Sequence, residues 1–208
     1  MLAKKTVEEF LNELASNSPA PGGGSVAALA GALGSALTAM VCNLTIGKKK
    51  YGDVEEEIKK VLEKIEPLRK QFTDLIDKDT QAFNKVMEAY SLPKESDAQK
   101  AIRSAAIQSA TKEATLIPLE VMKHCVDALA LAKIVAEKGN TNSVSDAGVA
   151  ALMLQAAAEG AALNVKINLA GINDIEFVGW KSEEVESVMK TCKKLSSEIM
   201  EIVGRSMG

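Results

Sequence analysis

Aromatic residues make up only 3% of this 208-residue chain, although hydrophobic residues reach 47%. That excludes a sandwich or barrel core rich in aromatic side chains and points to helix-on-helix packing of Ala, Leu, Val, Ile and Met. A single histidine, His124, excludes a metal site built from several imidazoles. It also leaves no serine or cysteine with an obvious partner base for nucleophilic catalysis. Cys42, Cys125 and Cys192 are odd in number and lack CxxC spacing, which fits neither a disulfide framework nor a zinc site. They read as small buried hydrophobes in a reducing cytoplasm. With a net charge of -3 there is no basic footprint for nucleic acid. The opening MLAKKTVEEF has no apolar run of signal-peptide kind, so a cytoplasmic location is expected.

What the chain does have is one charge-free stretch of 21 residues, Val26 to Ile46, followed by Lys48, Lys49 and Lys50. Its length matches a bilayer span, but only eight of its residues are Leu, Ile, Val or Met. It is therefore read as the central helix of a bundle rather than as a membrane segment. Leu29, Leu33, Leu37, Met40 and Leu44 form one stripe at helical spacing. Ala27, Gly31, Ser35 and Ala39 form a second, small-residue stripe that lets another helix approach closely, within the chain or across a dimer contact.

The other start and stop signals predict a single all-α domain over 1–208, a bundle of about six long helices with some kinked by proline. Thr6-Val7-Glu8-Glu9 is a capping box for a short first helix. The third helix runs from Val54 to Tyr90 through Pro67, and the fourth from a Ser96-Asp97 cap through Pro118 to Glu137. A fifth follows from Asp146 to Ala170, capped by Ser143. The segment from Gly171 to Lys181, with the only tryptophan, reads as a loop ahead of a last helix that starts at Ser182.

Four polar features interrupt this pattern. The glycine-rich turn ahead of the second helix, Gly22-Gly23-Gly24-Ser25-Val26-Ala27, satisfies a loose dinucleotide fingerprint but lacks the preceding strand, and no GK[ST] follows it. It either lets Ser25 cap the next helix or presents that helix's free N–H groups to a ligand. On the third helix Asp79 shares the apolar face of Phe72, Leu75, Ile76, Phe83, Val86 and Tyr90. There it is either a hydrogen-bonded structural aspartate or a carboxyl with a raised pKa that can exchange a proton. Asp77 lies on a more polar side and reads as solvated. The stretch GNTNSVSD, with Asn140, Asn142, Ser145 and Asp146, could cap a helix or clasp a polar heterocycle, and Asn164 and Asn168 stand one turn apart on the fifth helix. His124 reads as a core residue.

Taken together, the blocks SPAPGGGSVAALAGALGSALTAMVCNLTIGKKKY, LIDKDTQAFNKVMEAYSLPK, IPLEVMKHC, GNTNSVSDAGVAAL and NVKIN resemble the formiminotetrahydrofolate cyclodeaminase and methenyltetrahydrofolate cyclohydrolase family from about Phe10 to Gly171. The resemblance implies an all-helical cytoplasmic homodimer that acts on one-carbon derivatives of tetrahydrofolate with no metal, nucleotide or prosthetic group. It implies no nucleic acid or membrane partner. It moves Gly23, Gly24 and Ser25 towards the folate site, returns Asp77 to a place beside Asp79, and assigns Lys48 and Lys49 to the glutamate carboxylates of the folate. Asn140, Asn142, Ser145, Asp146, Asn164 and Asn168 complete the implied binding set. Either family reaction could use one raised-pKa aspartate, as acid for ammonia loss or as base for water. Asp79 is assigned that role, with Asp77 orienting it or stabilising a cationic substrate. A folate-binding or scaffolding protein without turnover is the competing class.

Overall fold

The computed structural model covers residues 1–208 and contains six α-helices and no strand. They are α1 Val7–Leu14, α2 Gly23–Thr45, α3 Glu55–Tyr90, α4 Asp97–Lys138, α5 Val144–Leu169 and α6 Ile175–Met207, with short 3-10 turns at Leu2–Lys4, Lys49–Val54 and Thr141–Ser143. The predicted all-α bundle is therefore what forms. The Thr6 capping box is present, with Glu9 N–H donating to Thr6 Oγ1 and the Thr6 N–H to Glu9 Oε2. Helices α3 and α4 run unbroken through Pro67 and Pro118.

The antiparallel pair α2 and α5 forms the centre, flanked by α3 on one side and α6 on the other, with α4 packed behind all four. Small residues decide how closely α2 sits. A Cβ at Gly31 would overlap the Phe72 ring, and one at Gly34 would stand 2.6 Å from Leu154 Cγ and 2.9 Å from the Ala150 carbonyl oxygen. Ala27, Gly31, Ser35 and Ala39 are all buried, so the small-residue stripe is the one that faces the core. The leucine stripe is left at the margin, with Leu29, Leu37 and Met40 half-buried and Leu29 packed against the core. Val26, Leu33 and Leu44 are exposed, Leu33 at 49%, because the neighbouring helices can close on α2 only along its small side.

Three local expectations are corrected. Helix α2 begins two residues early, with Gly22 as N-cap, so Ser25 lies inside the helix and uses its hydroxyl elsewhere. Ser143 does not cap α5 with its side chain. It donates instead to the Asn140 carbonyl, while Asn140 Oδ1 accepts from the Asn142 N–H to close the preceding turn. The last helix starts at Ile175, capped by Asp174 accepting from the Phe177 N–H, so Trp180 lies in a helix and not in a loop. Gly179, a residue unfavourable inside a helix, masked that first turn in the sequence.

Candidate active site

Helix α2 stops short of α3, α4 and α5, and the gap beyond its N-terminus is a cavity of about 350 Å³. Gly22, Gly23 and Gly24 form its floor, with the cis Ala20–Pro21 peptide at the rim. Helix α3 supplies Asp79, Ala82, Phe83 and Val86, helix α4 supplies Thr111 and Ala114, and helix α5 supplies Asn164, Ile167 and Asn168. The apolar face of α3 thus has two uses. Phe72, Leu75 and Ile76 pack into the core beside α2, whereas Phe83 and Val86, past the end of α2, wall the cavity.

Asp79 sits where these surfaces meet. Ser25 Oγ donates to Asp79 Oδ2 at 2.9 Å and lies 3.0 Å from the Ile76 carbonyl oxygen. Burial raises the Asp79 pKa from the ordinary carboxylate value, and hydrogen bonds from the Ser25 side chain and backbone partly offset the rise. The two acceptors of Ser25 fit both protonation states. When Asp79 is ionised, Ser25 donates to it. When Asp79 carries a proton, it can donate to Ser25 Oγ while the Ser25 hydrogen turns to Ile76. A Cβ at Gly24 would overlap the Asp79 carboxylate, so glycine is required there for close approach rather than for an unusual turn. At Gly23 the nearest neighbour of a Cβ would be Asn164 Nδ2, at 3.3 Å.

The free N–H groups and positive end of α2 face the same cavity. Asn164 Nδ2 donates to the Gly160 carbonyl of its own helix at 2.8 Å, which leaves Oδ1 as an acceptor, and Asn168 stands one turn further along the wall. No three His, Cys, Asp or Glu side chains converge anywhere in the fold.

The sequence candidates fall into two groups. Gly23, Gly24, Ser25, Asp79, Asn164 and Asn168 come together at the N-terminus of α2. Lys48, Lys49, Asn140, Asn142, Ser145 and Asp146 gather beyond its C-terminus, which 23 residues of helix place about 33 Å away. In that second group Asn140 is occupied: its Nδ2 donates to the Leu44 carbonyl, its N–H to Thr45 Oγ1, and its Oδ1 accepts from Tyr51. It ties the polar turn to the last turn of α2. Asp77 joins neither group. Its Oδ1 accepts from the Leu2 N–H at 2.5 Å, which clamps the N-terminal turn, and its buried Oδ2 has no partner. His124 packs edge-on to Phe72, with ring centroids 5.7 Å apart.

Sequence reasoning missed Thr111, Ala114 and Ile167 as cavity residues. Each sits in an alanine-rich helix whose period reports burial but not which buried face ends at a void. Phe83 and Val86 were visible, as the continuation of the Asp79 face past the last residue that α2 could cover.

The structure is thus an all-α bundle in which a largely buried carboxyl with a raised pKa meets a helix N-terminus at a cavity. The chain belongs to the formiminotransferase-cyclodeaminase family, whose model matches residues 6–187. It is 50% identical over 203 residues to the methenyltetrahydrofolate cyclohydrolase of Methylorubrum extorquens, covering 98% of this chain and 98% of that protein. It is 30% identical over 199 residues to the formimidoyltransferase-cyclodeaminase of Mus musculus, covering 96% of this chain and 37% of that protein. The structure superposes on a formiminotetrahydrofolate cyclodeaminase from Thermotoga maritima with a TM-score of 0.89, at 33% identity over the whole of both chains.

Proposed function

We propose that this one-carbon folate enzyme is a methenyltetrahydrofolate cyclohydrolase: it adds water to 5,10-methenyltetrahydrofolate and opens the ring to 10-formyltetrahydrofolate. The observation that carries the reading is Asp79, a carboxyl whose pKa burial raises, at the base of the cavity and within reach of both solvent and Ser25. The 50% identity to a cyclohydrolase along 98% of both chains favours this reaction over ammonia loss.

The substrate carries a positive charge spread over the N–C–N unit of its methenyl bridge. Asp79, ionised, attracts that charge and takes a proton from water as the water oxygen bonds to the bridging carbon. The neutral adduct then opens. Asp79 returns its proton to N5 as the carbon–N5 bond breaks, and the hydroxyl proton leaves as the formyl carbonyl forms, so one proton is released overall. Ser25 supports the carboxyl in each state. The positive end of α2 offsets negative charge building on the attacking oxygen. Phe83 and Val86 offer apolar surface to the ring system, and Asn164 and Asn168 offer polar contacts to its edge. In this reading Asp77 holds the N-terminus and does not orient Asp79. Loss of near-ultraviolet absorbance of 5,10-methenyltetrahydrofolate, faster with protein than without, tests the reaction; no acceleration overturns it.

The likeness to the Thermotoga cyclodeaminase supports a second reading, in which protonated Asp79 delivers its proton to departing ammonia. Appearance of the same absorbance band from 5-formiminotetrahydrofolate distinguishes it.

The working unit in this reading is a cytoplasmic homodimer. Helices α2 and α5 are both long and apolar enough to cross a membrane by length and composition, yet only about half of each is buried within the chain. Their outward faces adjoin and expose Leu33, Val149, Leu152, Leu163 and Ile167. A second copy laid on this face buries it as an isologous interface. The three cysteines are free and buried, which suits a reducing compartment.

A further inference from the structure

A threonine inside a helix can give its hydroxyl hydrogen to the carbonyl one turn back. In this chain Thr38, Thr45, Thr73, Thr111, Thr115 and Thr191 all do so, at 2.7 to 3.1 Å. Thr80, on α3, is the exception. The carbonyl one turn back from it, that of Ile76, lies 3.0 Å from Ser25 Oγ instead, and the Thr80 hydroxyl lies 3.4 Å from the same Ser25 oxygen. Thr80 thus faces away from its own helix, towards the residue that holds Asp79.

Ser25 is fully buried, so its hydroxyl depends on protein partners. Its three neighbours differ in what they can do: the Ile76 carbonyl only accepts, the Asp79 carboxyl accepts when ionised and donates when protonated, and the Thr80 hydroxyl does either. With Asp79 ionised, Ser25 gives its one hydrogen to Oδ2 at 2.9 Å, and of the three only Thr80 is left to donate to Ser25 Oγ. With Asp79 protonated, the carboxyl itself donates to Ser25, whose hydrogen turns to Ile76. Thr80 is then dispensable. A donor that completes the chain in one state and not in the other favours the first, and hydrogen bonds in such a chain polarise one another.

We propose that Thr80 positions Asp79 for proton exchange through Ser25, its hydroxyl donating to Ser25 Oγ while Ser25 donates to the ionised carboxyl. The inference rests on the acid/base reading of Asp79. Thr80 lines no part of the cavity, so it is a positioning residue that reaches the reaction only by way of Ser25. No other charge stands against the carboxyl. Asp79 is the one ionisable side chain lining the cavity, α2, α4 and α5 bring none to it, and the α3 positions a turn to either side, Leu75, Ile76, Ala82 and Phe83, are apolar. Of its chain neighbours, Asp77 is tied to the Leu2 N–H and Lys78 is exposed. Loss of the Thr80 donor destabilises the ionised form alone. The carboxyl should then hold its proton to a higher pH, by about half a pH unit for one long hydrogen bond in a chain that ends on a charge.

The experiment follows the Asp79 carboxyl carbon by NMR through a pH titration, its signal identified by its loss in Asp79→Asn. It compares the wild type with the isosteric Thr80→Val, with Thr80→Ser, with Ser25→Ala and with the double variant Ser25→Ala/Thr80→Val; Thr73→Val controls for replacing a half-buried helical threonine. Thr80→Val should raise the midpoint by about half a pH unit, Thr80→Ser and Thr73→Val should leave it in place, and Thr80→Val should add nothing once Ser25 is alanine. The acidic limb of kcat/KM for 5,10-methenyltetrahydrofolate should move with the midpoint. A midpoint that Thr80→Val leaves unmoved, that Thr80→Ser raises as far as valine does, or that Thr80→Val shifts equally without Ser25 overturns the role of Thr80, as does a kcat/KM limb that stays while the midpoint moves. Each of these leaves the reaction at Asp79 intact. A wild type without turnover overturns the acid/base reading of the cavity, and the positioning role with it.

Discussion

Ser25 Oγ and Asp79 Oδ2 stand 2.9 Å apart, joined across two helices that approach this closely only because residue 24 is glycine. The contact fixes a carboxyl at the N-terminus of α2 and lets one hydroxyl serve it charged or neutral. Most of what the cavity can do depends on that pair.

Replacing Asp79 by Asn removes the carboxyl proposed to exchange the proton, and turnover should fall by at least about 100-fold, the lower range for losing a general acid or base. Asp77→Asn is the matched control. It weakens the tie to the Leu2 N–H and should cost about 1 kcal/mol in urea denaturation while leaving kcat within a few-fold of wild type. Equal losses of kcat in the two variants would return Asp77 to the reaction.

Ser25→Ala takes away a hydrogen bond that holds the Asp79 pKa down. The acidic limb of the pH dependence of kcat/KM, which reports ionisation of the base, should therefore move to higher pH. A limb that stays in place or moves down would separate Ser25 from the titrating group.

Asp79 also links stability to pH. Its pKa is raised in the folded protein, so in the window above the ordinary carboxyl value the folded chain still holds a proton that the unfolded chain has released. Stability from this group is then lost as pH rises through the window. Thermal melts between about pH 4 and about pH 8 should show the wild type losing Tm relative to Asp79→Asn with rising pH. A constant difference would mean that Asp79 titrates as an ordinary exposed carboxyl.

Gly24→Ala pushes a methyl group into the Asp79 carboxylate. Overpacking of this kind costs about 1–3 kcal/mol and displaces the carboxyl, so stability and kcat should fall together. Gly23→Ala meets only the movable Asn164 amide at 3.3 Å and should be milder on both.

Leu33→Glu places a charge in the middle of the uncovered α2 face, where Leu33 is 49% exposed within one chain. Analytical ultracentrifugation should give a dimer for the wild type and a monomer for this variant. A wild type that sediments as a monomer removes the assigned role of the face.

How much could be read in advance varies from residue to residue. Asp79 was legible because a carboxylate on a stripe of Phe, Leu, Ile and Val is costly anywhere but at a functional or hydrogen-bonded position, and the periodicity of α3 placed it there. Lys48 and Lys49 stand a helix length from that site within one chain, a separation that family resemblance does not state, because it gathers residues without saying how far a helix carries them apart.

The order and type of the helices, the Thr6 and Ser96 caps and the family itself follow from local pattern along the chain, since capping and helical periodicity are settled within a few residues. Which stripe of α2 turns inward was a different kind of question. Both stripes have helical spacing, and only the competition of α3, α4 and α5 for close contact chose the small one for the core and left Leu33 and Leu44 exposed. The cavity arose the same way: it is where α2 ends and its three neighbours continue, a difference in length between packed helices that no single segment of the chain encodes.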